Sequence, residues 1–408
     1  MNIALLAVII PFAAIPVLVL IGSTRAGRLF GVLASLACWA LTVLVAWQGG
    51  QSGPLAVLLG AVAGFAGVVA TLATCMTPAS PRPRLQQGAL QAVIGASLGG
   101  LYADHTPLLW LAMEGGIVAL ACMSLAAGLR MTALKTLVLG SVGVGLALFG
   151  GLLVVASAGV QGTALLPIAL IVGLGGCGLQ IVAMLGLGAV PSIVAAVLLN
   201  VPLLAVLRFR HLGQAVGGPL LLALALVFLL GAAFCLRRRQ EPMQVLGLAG
   251  LQQAGLVLFA FGIGGVGALF GGMLHMLLTS LLKTSLFAGF SFTGSSKQTV
   301  WLRAAALFAL VGLPPSGLFV SEFIIVQQTY LLHPWLCVPL ALALGACAWP
   351  LLRRAQKVVG EAIPSTPWRQ NGLACGLLAV PLVGMVVLAF AMPTPVAQLL
   401  MQAAKTWL

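Results

Sequence analysis

Lys283 and Glu322 sit where a charge is least at home in this chain. Lys283 lies inside the apolar run LHMLLTSLLKTSLFAG at 274–289, with no acid close by in sequence. Glu322 follows a Pro-Pro step inside the next apolar run, GLPPSGLFVSEF at 312–323. His275, Thr279 and Lys283 recur every four residues, which stacks them along one stripe of a helix. A charge at the centre of a bilayer costs roughly 2.5–3.5 kcal/mol even on lenient scales, so an ionisable residue there points to ion or proton handling. An imidazole on the same stripe as a buried amine is a natural relay, since it both accepts and donates a proton near neutrality.

Glu114 belongs to the same class. The sequence holds five acids, Asp104, Glu114, Glu241, Glu322 and Glu361, and both Glu114 and Glu322 fall within apolar helices. Solvated acids do not distribute in that way. A hydrogen-bonded acid that only fixes helix packing is the plain alternative for Glu114. Asn200, Gln252, Gln253 and Thr279 are polar but uncharged, and read as interhelical hydrogen-bonding groups around the ionisable line. Pro314 and Pro315 remove backbone donors in mid-run, so the helix there is expected to break, with Ser316 and Gly317 at the break. A discontinuous helix beside ionisable side chains is a recurring way to build an ion site at the bilayer midplane.

The elements that must position these residues follow from composition. Hydrophobic residues make up 62% of the 408, charged residues only 6%, and mean hydropathy is +1.19, too little charge to cover a soluble surface. Continuous rather than alternating apolar runs predict a helical bundle and not a barrel. The fold class is therefore an all-α polytopic membrane protein of about 14 transmembrane helices, with cores near 3–21, 29–47, 54–76, 88–103, 106–128, 134–158, 164–185, 191–207, 217–236, 243–262, 265–292, 304–330, 335–352 and 373–392. Two helices are expected to be discontinuous, around 185–191 and 312–318. For the first, the glycine-rich run GLGGCGLQIVAMLGLGAVP leads into Pro191.

The net charge of +14 does not indicate nucleic acid, because no basic cluster is interleaved with aromatics. All of the 19 Lys and Arg except Arg208, Arg210, Lys283 and Lys405 fall in alternate loops. That asymmetry marks the basic loops as cytoplasmic and both termini as non-cytoplasmic. The apolar N-terminus lacks a basic leader region and is expected to be a retained first span. The eight cysteines are scattered within apolar runs without metal-ligand spacing, so no metal site and no cofactor is expected, and they read as small packing residues.

Four stretches carry a resemblance: LYADHTPLLWLAMEGGIVAL (101–120) with Glu114, LLNVPLLAVLRF (198–209), the His275–Lys283 run, and GLPPSGLFVSEF. Over roughly residues 90–360 the chain resembles the antiporter-like subunits of complex I and its relatives, most nearly the large membrane subunit of hydrogenase-4 and formate hydrogenlyase type complexes. That resemblance implies an inverted pair of helical bundles around a hydrated polar axis along which protons, or sodium in their place, move. It implies Glu114 as a charge-coupling glutamate, His275 as relay or gate, Lys283 as a central-axis lysine and Glu322 as the outlet. It divides the chain into peripheral helices (1–86), a Glu114 bundle (87–212), a Lys283/Glu322 bundle (213–355) and a basic loop with a C-terminal helix (356–408).

The chain also departs from that family. Thr279 stands for a second histidine, and a seventh-helix lysine is replaced near Cys177. An amphipathic segment is missing between Met184 and Pro191. Asn200, Gln252 and Gln253 stand where some members are ionisable, and Glu114 lacks its usual cationic partner. Two functions follow: a proton-translocating subunit of a membrane-bound redox complex in the inner (cytoplasmic) membrane, or a degenerate structural or coupling subunit of such a complex. Neither is an enzyme by itself. Both require other membrane and peripheral subunits as partners, besides the lipid bilayer.

Overall fold

The computed structural model describes residues 3–48, 53–77, 80–157, 165–185, 195–212, 214–238, 242–291, 297–360 and 368–408. Among them there are helices and no strands. In order they are α1 (Ile3–Ile21), α2 (Arg25–Trp47), α3 (Pro54–Met76), α4 (Pro83–Leu101), α5 (Thr106–Ala126), α6 (Arg130–Ser157), α7 (Leu165–Leu185), α8 (Ala195–Leu198), α9 (Asn200–Leu212), α10 (Gln214–Arg238), α11 (Pro242–Ile263), α12 (Val266–Ser291), α13 (Lys297–Leu310), α14 (Gly317–Leu332), α15 (Cys337–Gly360), α16 (Trp368–Phe390) and α17 (Thr394–Thr406). The chain is an all-α polytopic membrane protein.

Eleven of these helices are long and apolar enough to cross a bilayer, and α13 and α14 are shorter apolar helices. Over the described residues each of the fourteen expected spans falls largely on helix, and the expected run 304–330 is the pair α13–α14. The break at 312–318 is therefore present. The break expected around 185–191 lies mostly outside the described residues, and the glycine-rich α7 runs unbroken to Leu185. α17 is a further element: at 13 residues it is too short to span. It turns Leu400, Ala403 and Ala404 inward and packs on α3 and α12.

The ends of the bundle agree with alternating spans. At one end Ser80 Oγ donates to Ala126 O at 2.7 Å and Arg84 Nε to Ser23 Oγ at 3.3 Å, which gathers three of the basic loops. At the other end Arg208 donates to Ala103 O, and Arg210 Nη1 donates to Trp407 O at 2.9 Å. His211 stacks edge-on against Trp407 with ring centroids 5.6 Å apart. The two arginines that broke the charge pattern are thus tied to backbone carbonyls at the sparsely charged end.

Gly173 and Gly176 on α7 serve close approach. Gly143, Ala147 and Gly150 on α6 face Gly173, Gly176 and Gln180 on α7, and a Cβ built on Gly150 would lie 2.4 Å from the Gly173 Cα. Small residues let backbones meet, which is how helices gain van der Waals contact where lipid removes the hydrophobic drive. Gly150→Val should therefore lower the unfolding free energy in detergent by about 1–3 kcal/mol, as overpacking does. Gly145→Ala, with nothing within 4 Å of its added methyl, should leave thermal unfolding unchanged or raise it slightly.

Candidate functional site

α12 is the axis on which the candidate residues are hung. It packs against α3, α11, α13, α14, α16 and α17, and His275 and Lys283 on it are 0% and 3% exposed. Eight residues of helix place them about 12 Å apart along the axis. Thr279, between them, donates to His275 O at 2.6 Å. Its hydroxyl is thus spent on its own helix rather than standing in for a second imidazole.

His275 joins three helices. Its Nδ1 lies 2.9 Å from Ser321 Oγ on α14, and its Nε2 meets Gln253 Oε1 on α11. Gln253 also donates through Nε2 to Leu310 O at 3.1 Å, at the end of α13. That bond fixes the amide orientation, so its oxygen faces the ring and His275 Nε2 carries a hydrogen. Ser321 has one proton and two acceptors in reach, His275 Nδ1 and, at 2.9 Å, Leu318 O. Aimed at the ring, it completes a neutral imidazole. Turned to Leu318, it leaves its oxygen free to accept from an imidazolium. By rotating, one hydroxyl can thus meet Nδ1 whether or not it carries a proton.

Toward Lys283 the polar lining continues. Asn200 on α9 donates through Nδ2 to Ser280 Oγ at 2.9 Å, linking the eighth span to α12. Gln252 is 2% exposed and its Oε1 is buried without a hydrogen-bond partner. Ser285 donates to Leu378 O of α16 at 2.7 Å.

Glu322 sits beside this cluster rather than in it. Ser321 of α14 bonds His275 of α12; its neighbour Glu322, about 100° further round the helix, packs against the α13–α14 break. Gly312 there has φ +78°, and a Cβ added to it would fall 2.0 Å from Glu322 Oε2. Glu322 Oε1 is buried with no hydrogen-bond partner. The break is built as its residue types dictate: Ser316 caps α14 by accepting from Phe319 N at 3.2 Å, Gly317 opens the helix against Met385 O of α16, and Pro314 and Pro315 lie between the helices. His275 and Ser321 join α12 to α14, with Lys283 two turns along α12 and Glu322 the next residue on α14.

Glu114 stands apart. It is half-buried on α5 and accepts from Ser141 Oγ on α6 at 2.5 Å. Its neighbours Leu111 and Val118 are exposed, so it lies near the outer face of the bundle. Ser141 thus answers the carboxylate for which the sequence offered no cation.

Sequence reasoning missed Ser321, Ser280 and Ser141, which are indistinguishable by type from serines that only bond their own helix. It also missed Gln180, which is 0% exposed on α7 with neither amide atom partnered. A lone glutamine among glycines and aliphatics was the available signal. Among the described residues no His, Cys, Asp and Glu group could hold a metal.

No family model matches the chain. It is 32% identical over 197 residues to a hydrogenase-4 component F homolog from Methylacidiphilum infernorum (isolate V4), an alignment covering 42% of this chain and 41% of that protein. The chain thus spans about two-fifths of that relative's length. Among solved structures, a chain of respiratory complex I from Thermus thermophilus with bound NADH superposes with TM-score 0.79 at 20% identity, over 98% of this chain and 99% of that one. The resemblance to the antiporter-like membrane subunits is borne out. A chain of the Mrp complex from Dietzia sp. DQ12-45-1b gives 0.80 at 17% identity, covering 98% and 52%. A chain of the membrane-bound sulfane sulfur reductase, an archaeal respiratory membrane complex, gives 0.78 at 18%, covering 99% and 97%. At these identities the structural likeness is one of fold.

Gly312 offers a direct check on the break. Gly312→Ala should cost about 1–2 kcal/mol for the left-handed backbone alone, and more as its methyl displaces the Glu322 carboxylate. Ser316→Ala should cost about 1 kcal/mol through the lost cap, and Ser316→Asn should recover it. Thermal unfolding in detergent reads all three.

Proposed function

We propose that this chain is a proton-translocating, antiporter-like subunit of a membrane-bound redox complex. It moves protons along the buried line Lys283–His275–Ser321, with Glu322 as the group beside the outlet. One observation carries the reading: an imidazole enclosed in the bundle, hydrogen-bonded at both ring nitrogens to side chains of different helices, with a buried amine two turns away on the same face. Such groups are expensive in hydrocarbon, and packing needs none of them. The 32% identity to a hydrogenase-4 component F homolog supports the same reading.

Driving a proton against 100 mV takes about 2.3 kcal/mol, and a lone membrane subunit without redox chemistry supplies none of it. The chain therefore acts with other membrane and peripheral subunits and is not the catalytic member. On this reading the basic loops face the cytoplasm, the membrane is the inner one and both termini lie on the far side.

A second reading, a coupling or structural subunit without a complete path, is favoured by the first half of the molecule. Gln180 is neutral, and Glu114 is bonded to Ser141 at the bundle's edge, away from the His275 cluster. The two are separated by reconstituting the assembled complex into proteoliposomes. Lys283→Ala and Glu322→Gln should each slow proton uptake by about a hundredfold, the scale of a lost positioned proton carrier, while the complex still assembles. Unaltered uptake with both variants sinks the translocating reading. Loss of partner assembly on deletion of the chain, with transport indifferent to the point variants, supports the structural one.

A further inference from the structure

The basic end of the bundle holds a groove that the proton path does not use. It lies between the ends of α10 and α15, encloses about 850 Å³, and is lined by Arg237, Arg353, Arg354, Lys357, Trp349 and Pro350 among others. No acid lines it among the described residues; Glu241 and Glu361, the nearest in sequence, lie outside them. Arg354 Nε is buried there without a hydrogen-bond partner.

The approach to the groove is graded in the same way on both helices. On α15 the exposed face runs Val338, Leu342, Trp349 and then Arg353, whose guanidinium lies 4.7 Å from the Trp349 ring centroid. On α10 it runs Val227, Leu230, Phe234 and then Arg238, 4.3 Å from the Phe234 centroid. Apolar, then aromatic, then cationic is the order of a bilayer from hydrocarbon to headgroup. The groove therefore opens at headgroup depth, with the α15 track ending on its lining at Trp349 and Arg353 and the α10 track ending at Arg238, next to the lining Arg237.

We propose that this groove binds the phosphate headgroup of an anionic phospholipid. Arg237, Arg353, Arg354 and Lys357 take the phosphate oxygens, and the acyl chains lie along the exposed faces of α10 and α15. Four cations facing one concavity repel one another unless an anion is shared between them. Basic pockets between transmembrane helices at the cytoplasmic side are suited to such headgroups. A soluble phosphate would satisfy the cations but would make no use of the two apolar tracks. An acidic protein segment would leave them bare as well. The assignment rests on the groove and not on the proton-path reading.

Native mass spectrometry of the purified full-length chain in detergent tests it, with cardiolipin, phosphatidylglycerol or phosphatidylcholine added singly. Anionic lipid should be retained in preference to phosphatidylcholine. The Arg353→Ala/Arg354→Ala double variant should lose that retention by roughly tenfold or more. Arg25→Ala/Arg28→Ala, at another basic loop, should keep it. If the double variant does not fold, the single variants Lys357→Ala and Arg237→Ala read the same loss. Equal retention of all three lipids, or undiminished binding by the groove variants, overturns the proposal. So does displacement of bound lipid by millimolar inorganic phosphate, which marks a free-anion site. Exclusion of lipid by a co-purified acidic subunit overturns it in favour of a protein dock.

Discussion

A hydrogen-bonding group placed in hydrocarbon must find its partner within the protein, and this constraint shapes the neighbourhood of α12. The helix carries His275, Thr279, Ser280, Lys283, Thr284 and Ser285, all buried. Nearly every one is answered locally: Thr279 and Thr284 turn back on the preceding turn, Ser280 does so too while accepting from Asn200, and Ser285 reaches α16. Each bond removes a penalty of a few kcal/mol. His275 alone calls on two other helices, α11 and α14. The position of α12 at the centre of its neighbours follows, because only there can so many polar groups be met from several sides.

Against that background the unanswered atoms stand out. Gln180, Gln252 and Glu322 each keep a buried atom without a hydrogen-bond partner. The first lies on α7, the second on α11 and the third at the α13–α14 break. A buried polar atom left over after packing is costly wherever it stands.

Much of this architecture was legible from residue types. Apolar runs of spanning length are dictated by bilayer thickness, which is why the expected spans coincide with helices. Pro314-Pro315 announced a break for a covalent reason. The four-residue spacing of His275, Thr279 and Lys283 put them on one face before any neighbour was known. What stayed hidden depends on how neighbouring helices are rotated. Sequence cannot tell that Ser321 and not Glu322 turns toward α12, since the two are adjacent and differ only by a rotation about the α14 axis. Nor does it separate a glycine that bends a helix from one that admits a neighbour. Gly173 and Gly176 on α7 are of the second kind. Ser141 and Gln180 were missed because a single small or neutral polar residue in an apolar helix has no pattern to give it away.

The glycine seam between α6 and α7 has a mechanical meaning. Where main chain lies directly on main chain, there are no rotamers to exchange and no side-chain gaps to take up a shift. That pair can move only as a slab. Compliance belongs instead to α13–α14, where the chain is cut in mid-span and a carboxylate rests against a residue with no side chain. The histidine is fastened to this interrupted side through one serine hydroxyl.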